Sequence, residues 1–162
     1  MEKLIKMVLA IICLSFLFMG CSGSDKGCTN IHSDNYDPYA TVDDGSCILW
    51  YEKYEGNYFL TESCGSATFP PIRVRIVRAS NDASIYIQFQ TTGRNLFYTL
   101  LTGPHTFYIP PQLAILVGGD LVQVAGSGEI SADGKTLNAE FFKDDFSDFD
   151  FEQCSLTFSK LN

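Results

Sequence analysis

The sequence predicts an all-β protein whose main domain, residues 51–162, is a small antiparallel up-and-down barrel of about eight strands. Apolar and polar residues alternate with a period of two through most of this region, which is typical of strands with one buried face. Turn-forming residues separate the alternating runs, and no run has a helical period. Eight or nine short strands within about 110 residues indicate a barrel or a tightly closed sandwich.

The alternating runs follow one another along the chain. The first predicted strand contains Cys64 and the last contains Cys154, and closure of a barrel would bring these two strands together. Asp133-Gly134 is the strongest hairpin signal between them. The later strands are predicted at residues 72–76, 84–90, 94–101, 105–109, 122–130, 137–141 and 154–158.

Three stretches depart from simple alternation. The strand that begins at residue 105 is predicted to stop at Pro110-Pro111. Residues 113–117 are apolar without alternation, so they predict either a strand or a short buried turn of helix. Gly126 and Gly128 share the parity of the apolar residues around them, which predicts a bend or bulge in that strand.

Residues 1–20 resemble the signal peptide of a bacterial lipoprotein. Lys3 and Lys6 form a basic head, and residues 7–19 are apolar except for one serine. That run is too short to span a bilayer as a helix but suits a signal peptide. Gly20 and Cys21 follow, and the resemblance implies that Cys21 is acylated, with palmitate as a candidate acyl group, and becomes the first mature residue. An ordinary secretory signal or a small membrane anchor is the alternative.

The predicted mature chain begins with a polar tether at residues 21–27. Loss of Glu2, Lys3 and Lys6 reduces 19 acidic and 11 basic residues to 18 and 9, which gives a formal net charge of −9. This acidity argues against a nucleic-acid partner or an anionic membrane surface, because both require clustered lysine and arginine. Membrane attachment is therefore predicted through the lipid alone, at the outer membrane of a bacterial envelope, facing the periplasm or the cell surface.

Four cysteines are predicted to form two disulfides. Cys13 leaves with the signal peptide and Cys21 takes the lipid, which leaves four cysteines in an oxidising envelope. Two of these bracket a local acidic segment, and the other two lie in the first and last predicted strands. The positions favour one of three connectivities, Cys28 with Cys47 and Cys64 with Cys154. A zinc site is the less favoured alternative, because no Cys-x-x-Cys pair is present and the two histidines are far apart.

Residues 28–47 form a cysteine-bounded acidic motif. The segment has too little apolar surface to fold around a core, so a disulfide, a hard cation or both must organise it. It reads Asn35-Tyr36-Asp37-Pro38 and ends in Asp43-Asp44-Gly45-Ser46-Cys47. It resembles a motif of secreted and surface proteins of some Gram-negative bacteria, roughly Cys-Thr-Asp-x-x-Ala-x-Asn-Tyr-x-Pro-x-Ala-x-x-Asp-Asp-Gly-Ser-Cys, with Asn30 and Ser33 as its departures.

Calcium is the cofactor that this motif predicts, because Ca²⁺ takes six or more oxygen ligands. The predicted ligands are the carboxylates of Asp34, Asp37, Asp43 and Asp44. The spacing is not that of an EF-hand, since Asp43-Asp44-Gly45 lacks the alternating acidic ligands. A solvated acidic spacer held by a disulfide is the alternative.

A second acidic cluster interleaves with phenylalanines near the C-terminus. It consists of Asp144, Asp145, Asp148, Asp150 and Glu152 around Phe146, Phe149 and Phe151. We interpret it as a charged hairpin turn whose phenylalanines pack inward. A second cation site, or a carboxylate pair for acid–base work on a sugar, is the alternative. His32 and His105 each stand alone among turn residues and are predicted to be surface residues.

Further motifs occur in a fixed order between residues 54 and 160. They are Tyr54-x-Gly56-x-Tyr58, Cys64, Tyr108-Ile109-Pro110-Pro111-Gln112, Gly126-Ser127-Gly128 and a final Cys154. This order resembles the lipocalin-like domain of bacterial envelope lipoproteins, in which an early and a late cysteine frame a small β-barrel. Tyr58 stands where lipocalins carry a tryptophan.

Familiar catalytic motifs are absent from the sequence, which has no Gly-x-Ser-x-Gly elbow, no His-Glu-x-x-His and no phosphate loop. We therefore expect a non-enzymatic, lipid-anchored envelope protein whose barrel binds a small ligand, apolar or glycan, at its mouth. The alternative is a surface adhesion or structural module, and a carbohydrate hydrolase comes third. An internal cavity of several hundred Å³ would favour the ligand-binding protein, and a filled interior with an exposed aromatic face would favour the module.

Tyrosines are numerous for one small domain. Their side chains could stack on sugars or line an apolar pocket, although strand propensity alone explains their number. Six of them are expected to be exposed, namely Tyr51, Tyr54, Tyr58, Tyr86, Tyr98 and Tyr108.

Overall fold

The computed structural model describes residues 25–115, 121–144 and 152–161. Within these ranges there are eleven strands and one short helix. The elements before the barrel are β1 (Lys26–Gly27), β2 (Val42–Asp43) and α1 (Trp50–Tyr54). They are followed by β3 (Gly56–Cys64), β4 (Ala67–Thr68), β5 (Ile72–Arg78), β6 (Ser84–Phe89), β7 (Asn95–Leu101), β8 (Thr106–Ile115), β9 (Leu121–Ile130), β10 (Thr136–Asp144) and β11 (Glu152–Lys160).

Eight of these strands close into an antiparallel up-and-down barrel, which confirms the predicted fold class. Their order is β3-β5-β6-β7-β8-β9-β10-β11, and β11 pairs back onto β3. The closing register runs from Cys154 opposite Cys64 to Lys160 opposite Tyr58. The two-residue strand β4 pairs only with the end of β3. Closure removes the exposed sheet edges that would otherwise invite pairing with another chain.

Two disulfides join Cys28 to Cys47 and Cys64 to Cys154, as the cysteine positions predict. The Cα atoms of Cys64 and Cys154 are 4.3 Å apart, directly opposite each other on the two strands that close the barrel. The Cα atoms of Cys28 and Cys47 are 4.8 Å apart at the two ends of the acidic motif. The Cys64–Cys154 bridge therefore reinforces the seam of the barrel, and the Cys28–Cys47 bridge closes a local loop.

The barrel interior is filled with large apolar side chains. Alternate residues of each strand face inward, as the period-two pattern requires. The largest fully buried side chains are Tyr54, Tyr58, Phe107, Phe141, Phe158, Leu60, Ile76, Ile85, Ile87, Ile109, Leu137 and Leu156. The expectation that all six tyrosines are exposed is wrong: Tyr54 and Tyr58 are fully buried because both rings face the core, and of the other four only Tyr108 is exposed. The remaining three, Tyr51, Tyr86 and Tyr98, are half-buried.

The helix α1, which the sequence pattern did not predict, closes one end of the barrel. Tyr54 at its last position packs edge-on against Phe107, with ring centroids 6.0 Å apart. The Tyr58 hydroxyl donates a hydrogen bond of 2.8 Å to the Tyr54 carbonyl oxygen. These contacts place α1 against the first residues of β3. We call the end of the barrel that α1 (Trp50–Tyr54) covers the capped end.

Strand β8 continues through Pro110-Pro111, which corrects the expectation that it stops there. Its pairing with β9 shifts register between Ile109 and Gln112, so the prolines sit at an irregularity. The Gln112 side chain accepts a 2.8 Å hydrogen bond from the Tyr98 N–H and donates a 2.6 Å bond to the Tyr98 carbonyl oxygen. One amide side chain thus replaces the missing backbone pairing with β7, and the strand continues to Ile115.

Gly126 and Gly128 allow β9 to approach β10 closely. A Cβ at Gly126 would collide with the Glu140 carbonyl oxygen and would lie 2.7 Å from the Phe141 Cα. A Cβ at Gly128 would collide with the Asn138 carbonyl oxygen and the ring of Phe107. With no side chains here, β9 and β10 pair at close range in an unbroken register, so their pairing has no bulge at these glycines, and the predicted bend stays a prediction.

The acidic motif packs against the capped end of the barrel. Asn30 donates a hydrogen bond of 2.6 Å to Asp82, in the turn between β5 and β6. Lys53 of α1 pairs with Asp34, at 2.7 Å between Nζ and Oδ2. The ring of His32 meets Trp50 edge-on at 5.4 Å, so this histidine is only half exposed.

Candidate functional site

The four predicted calcium ligands each have a local structural partner. Asp34 forms the ion pair with Lys53. Asp37 accepts a hydrogen bond from the N–H of Tyr39, two residues further on, at 2.9 Å. Asp43 and Asp44 accept equivalent bonds from the N–H groups of Gly45 and Ser46, at 2.8 and 2.9 Å. Three of the carboxylates therefore stabilise tight turns in the manner of Asx turns.

The pKa of the Asp44 carboxyl lies below its usual value, because the side chain and backbone of Ser46 donate hydrogen bonds to it. Ca²⁺ coordination needs carboxylates that are already deprotonated, so this shift is compatible with a metal site. The same lowered pKa is expected for a carboxyl that accepts the hydrogen bonds of an Asx turn without any metal. Calcium binding by the motif stays a prediction.

Among the described residues, one group of three metal-ligating side chains has its ligand atoms within 4.8 Å of one another: Glu62, Cys64 and Cys154. The two sulfurs are joined in the barrel disulfide. Because cysteine binds a metal as its thiolate, Cys64 and Cys154 cannot act as metal ligands while the disulfide is intact. The aspartates of the acidic motif are not brought together in a group of this kind.

The barrel core offers phenols that stay neutral. Tyr54 and Tyr58 are fully buried, and burial raises the pKa of both hydroxyls well above the usual range. Repulsion between the two ionised forms raises the pKa of Tyr54 further. Neither phenol can therefore supply a phenolate at neutral pH.

An outer groove of about 440 Å³ crosses the external face of β8 to β11. Gly128 of β9 lines it, between the exposed side chains of Ser127 and Glu129. The register of the strands aligns its side chains in two rows, because Ser127 lies opposite Glu140 and Glu129 lies opposite Asn138. The polar side chains that line the groove are those of Ser127, Glu129, Asn138, Glu140, Ser155 and Thr157.

The outer groove contains hydrogen-bonding side chains, of which some are paired within the described part of the protein and two are not. Thr157 donates to Asn138 at 3.3 Å, and Glu140 accepts from Gln153 at 3.3 Å. Across the described ranges, the hydroxyls of Ser127 and Ser155 make no hydrogen bond to another protein group. Tyr108 lies opposite Ser127 on β8 and is 40% exposed, so an aromatic ring stands beside the groove.

A second depression, of about 690 Å³, lies at the capped end between the acidic motif, α1 and the turn from β9 to β10. Its charged residues have both signs: Lys53, Lys135 and Lys160 line it together with Asp34, Glu52 and Asp133. Two of these groups are engaged in the Lys53–Asp34 ion pair. The Asp133 carboxyl has a lowered pKa, because Ser131 and the Lys135 N–H donate hydrogen bonds to it. This cleft therefore has no clear charge preference.

Several predicted features fall outside the described residues. These are the signal peptide, the lipidation residue Cys21 and most of the second acidic cluster. Of that cluster, Glu152 pairs with Lys143 at 2.9 Å between Oε2 and Nζ. In the part of the chain that the structure describes, no helix is long and apolar enough to cross a membrane.

Similar barrels are found among solved structures. A redesigned β-barrel is 11% identical with a TM-score of 0.51, over 70% of this chain and 96% of its own. EF1p2_mFAP2b bound to DFHBI is 10% identical with a TM-score of 0.52, over 70% and 99%. A crystal structure from Bacteroides fragilis, named a "putative outer membrane protein", is 20% identical with a TM-score of 0.42, over 72% of this chain and 54% of that one.

At these identities, the first two likenesses show the barrel fold alone. The TM-score of the third is too low for that structure to carry an argument. No family model and no curated protein matches the sequence. The outer groove, which the sequence analysis did not identify, is therefore the candidate site on its own geometry. A period-two pattern shows which residues face outward, but the groove depends on which strands are neighbours and in what register.

Proposed function

We propose that this protein is a non-enzymatic, lipid-anchored barrel of the bacterial envelope that binds a hydroxyl-rich ligand, a carbohydrate, in the outer groove. The observation that carries the proposal is the groove itself. It is about 440 Å³ in volume, within the usual range for ligand sites, and polar side chains line it. In contrast, the described part of the barrel interior is filled with buried side chains, which does not support a large apolar calyx there.

Carbohydrate suits this surface because sugar hydroxyls both donate and accept hydrogen bonds. The serine and threonine hydroxyls of the groove can do the same, and the carboxylates of Glu129 and Glu140 are strong acceptors. Tyr108 adds a ring on which the apolar face of a sugar can pack. An apolar ligand would leave these groups without partners, which is costly in a binding site.

The absence of catalysis is part of the proposal. The two carboxylates of the groove stand on the open outer face of a sheet, exposed to water, whereas the paired carboxyls of a glycoside hydrolase flank a bound glycosidic bond. The two barrels of similar fold have names that describe no enzyme, which is consistent with this assignment.

A small ligand inside the barrel is the second candidate. One barrel of similar fold, EF1p2_mFAP2b, is bound to DFHBI. Residues 116–120, which follow β8 in the sequence, and residues 145–151, which follow β10, lie outside the described residues. The predicted mouth site therefore stays a prediction. Native mass spectrometry of the protein purified from its own envelope distinguishes the two candidates, because a lipid-like adduct supports the mouth and a sugar adduct supports the groove.

The groove is tested with a panel of neutral oligosaccharides and the full-length chain in a non-ionic detergent. Replacing Ser127 and Ser155 by Phe fills the groove, so we expect binding of the recognised oligosaccharide to fall at least tenfold by isothermal titration calorimetry. Gln123→Phe is the matched control, since this residue is exposed on β9 but does not line the groove. If no oligosaccharide binds at millimolar concentration, or the filled variant binds as well as the control, the proposal is wrong.

Lipid attachment is tested separately. Cys21→Ser should move the protein from the membrane fraction to the soluble fraction, because the acylated residue is then lost. Cys13→Ser is the control, since this cysteine lies within the predicted signal peptide and should not affect attachment. If the Cys21→Ser protein still sediments with membranes, the lipoprotein assignment is wrong.

A further inference from the structure

We propose that a second surface, on the outer face of β3, β5 and β6, binds an acidic carbohydrate that carries carboxylate groups. We call it the arginine surface and define it by Asn57, Phe59, Arg73, Arg75 and Gln88. This inference does not rest on the outer groove and holds even if the groove binds nothing.

The strand register brings these side chains together. Arg73 lies opposite Phe59, and Arg75 lies between Asn57 on β3 and Gln88 on β6. Both arginines are exposed, while Val74 between them is fully buried. The Arg73 guanidinium stands 5.5 Å from the centroid of the Phe59 ring. Stacking of this kind orders the guanidinium while its N–H groups remain available to a ligand.

The charges of this surface are not compensated within the described chain. Arg78, at the end of the same strand, pairs with Asp82, and Lys143 pairs with Glu152. Across the described ranges, no carboxylate forms an ion pair with Arg73 or Arg75. The two guanidiniums are two residues apart on one strand face, about 7 Å between Cα atoms, so they repel each other.

This arrangement is unusual for so acidic a chain. The whole sequence has 19 acidic residues against 11 basic ones, yet among residues 25–115, 121–144 and 152–161 no carboxylate forms an ion pair with these arginines. An anion bound across both arginines would relieve the repulsion. Arginine also matches a carboxylate better than lysine does, because its planar fork makes two parallel hydrogen bonds.

The surrounding side chains favour a sugar as the carrier of the carboxylate. Gln88 donates to Asn95 at 2.9 Å, and Gln90 donates to Asn57 at 3.4 Å, so side-chain amides flank both arginines. Amides donate and accept hydrogen bonds, as hydroxyl groups require. The Phe59 ring is 37% exposed and offers an apolar face beside them.

Other anionic partners fit less well. A peptide would gain most by adding a strand to a sheet edge, but the barrel is closed. Attraction to an anionic membrane requires clusters of about four to eight basic residues, and this surface has two arginines. Nucleic-acid binding likewise depends on many phosphate contacts.

The test compares oligogalacturonate with a neutral maltooligosaccharide of equal length, using the full-length chain in a non-ionic detergent and isothermal titration calorimetry. We expect binding of oligogalacturonate, weakened when sodium chloride is raised from about 50 to 200 mM because salt screens exposed charges. Arg73→Gln with Arg75→Gln should weaken binding at least tenfold. The matched control is Lys26→Gln with Lys135→Gln, which removes the same charge elsewhere and should change binding less than twofold.

A further variant separates charge from geometry. Arg73→Lys with Arg75→Lys keeps both charges but removes the planar forks, and should weaken binding about three- to tenfold. Equal thermal unfolding temperatures show that the exposed substitutions leave the fold intact. The proposal is overturned if the neutral sugar binds as well, if the glutamine variant and the control lose binding equally, or if polyaspartate or phosphatidylglycerol vesicles bind more tightly than oligogalacturonate.

Discussion

The barrel and the cysteine-bounded motif of residues 28–47 each contain one disulfide, but different interactions order the rest of each region. In the barrel, inward-facing side chains of every strand are buried in one continuous core. In the motif, only Cys28 and Ser33 are buried. Its order comes from carboxylates that accept hydrogen bonds from backbone N–H groups, and from a few contacts with the capped end.

This difference explains how an acidic segment with almost no core belongs to a folded protein. Hydrophobic burial is cooperative, so the barrel is expected to unfold as one unit. Local turns and a disulfide do not require that cooperativity, so the motif can open by itself. The following predictions test this separation, in order of decreasing effect.

The largest effect is expected from the barrel disulfide. Replacing Cys64 and Cys154 by Ser should lower the free energy of unfolding by about 4 kcal/mol, because the bridge closes a long loop. Replacing Cys28 and Cys47 should leave the unfolding of the barrel nearly unchanged and make the motif sensitive to protease. Urea denaturation and limited proteolysis measure the two effects. Equal losses of stability would show that the motif belongs to the cooperative unit.

Substitutions at two glycines, one in the barrel and one in the motif, test the same difference. Gly128→Val should destabilise the barrel by about 2 kcal/mol, because the new side chain collides with the β10 backbone and the ring of Phe107. Gly45→Ala has open space around it but a φ of 78°, so it should cost about 1 kcal/mol locally. Urea denaturation should detect the first, and proteolysis of the motif should detect the second. A change at Gly45 that lowers the urea midpoint as much would contradict local opening.

The Asp34–Lys53 contact between the motif and the barrel should contribute little to the free energy of unfolding. A double-mutant cycle with Asp34→Asn and Lys53→Gln is expected to give a coupling of about 0.2 to 1 kcal/mol, since the pair is partly exposed. The motif should become more sensitive to protease, and salt should reduce the coupling. The control cycle uses Lys143 and Glu152, a comparable pair in the barrel, which should not alter cleavage of the motif. A coupling of several kcal/mol would mean that docking is essential to the fold.

The smallest effect on the barrel is expected from calcium. If the motif binds Ca²⁺, the ion should protect it from protease at about 10⁻⁴ to 10⁻³ M and leave the unfolding of the barrel unchanged. Asp43→Asn with Asp44→Asn should abolish protection, because asparagine still accepts the turn hydrogen bonds but lacks the charge.

Asp133→Asn is the control for the calcium experiment, since Asp133 accepts similar turn hydrogen bonds in the barrel and is not a predicted ligand. Titration calorimetry must reach millimolar calcium. Binding that survives the double substitution, or no heat at that concentration, would leave the motif as a spacer.

Much of the fold could be predicted from the sequence because strand alternation is a local property. Many inward residues have a polar neighbour on either side, so the runs around Val74, Ile87 and Phe158 indicate strands without knowledge of their partners. The disulfide of Cys64 and Cys154 followed from the same reasoning, since the first and last strands of a barrel must meet.

Other features required the tertiary structure. The helix α1 is five residues long, too short for a helical period to be recognised. Strand β8 passes Pro110-Pro111 because the Gln112 side chain bonds to Tyr98, 14 residues away. Residue type does not distinguish the buried Tyr54 and Tyr58 from the exposed Tyr108. The packing of α1 against β3 explains why the first two are buried.

The sequence by itself determined the class of the fold, the strands and the pairing of the cysteines, because each depends on the spacing of residue types along one segment or on the order of segments. Only the tertiary structure decided the outer groove and the arginine surface. Ser127 and Ser155, like Phe59 and Arg73, lie on different strands. Their proximity depends on strand order and register, which backbone pairing and barrel closure set and which no pattern within one strand contains.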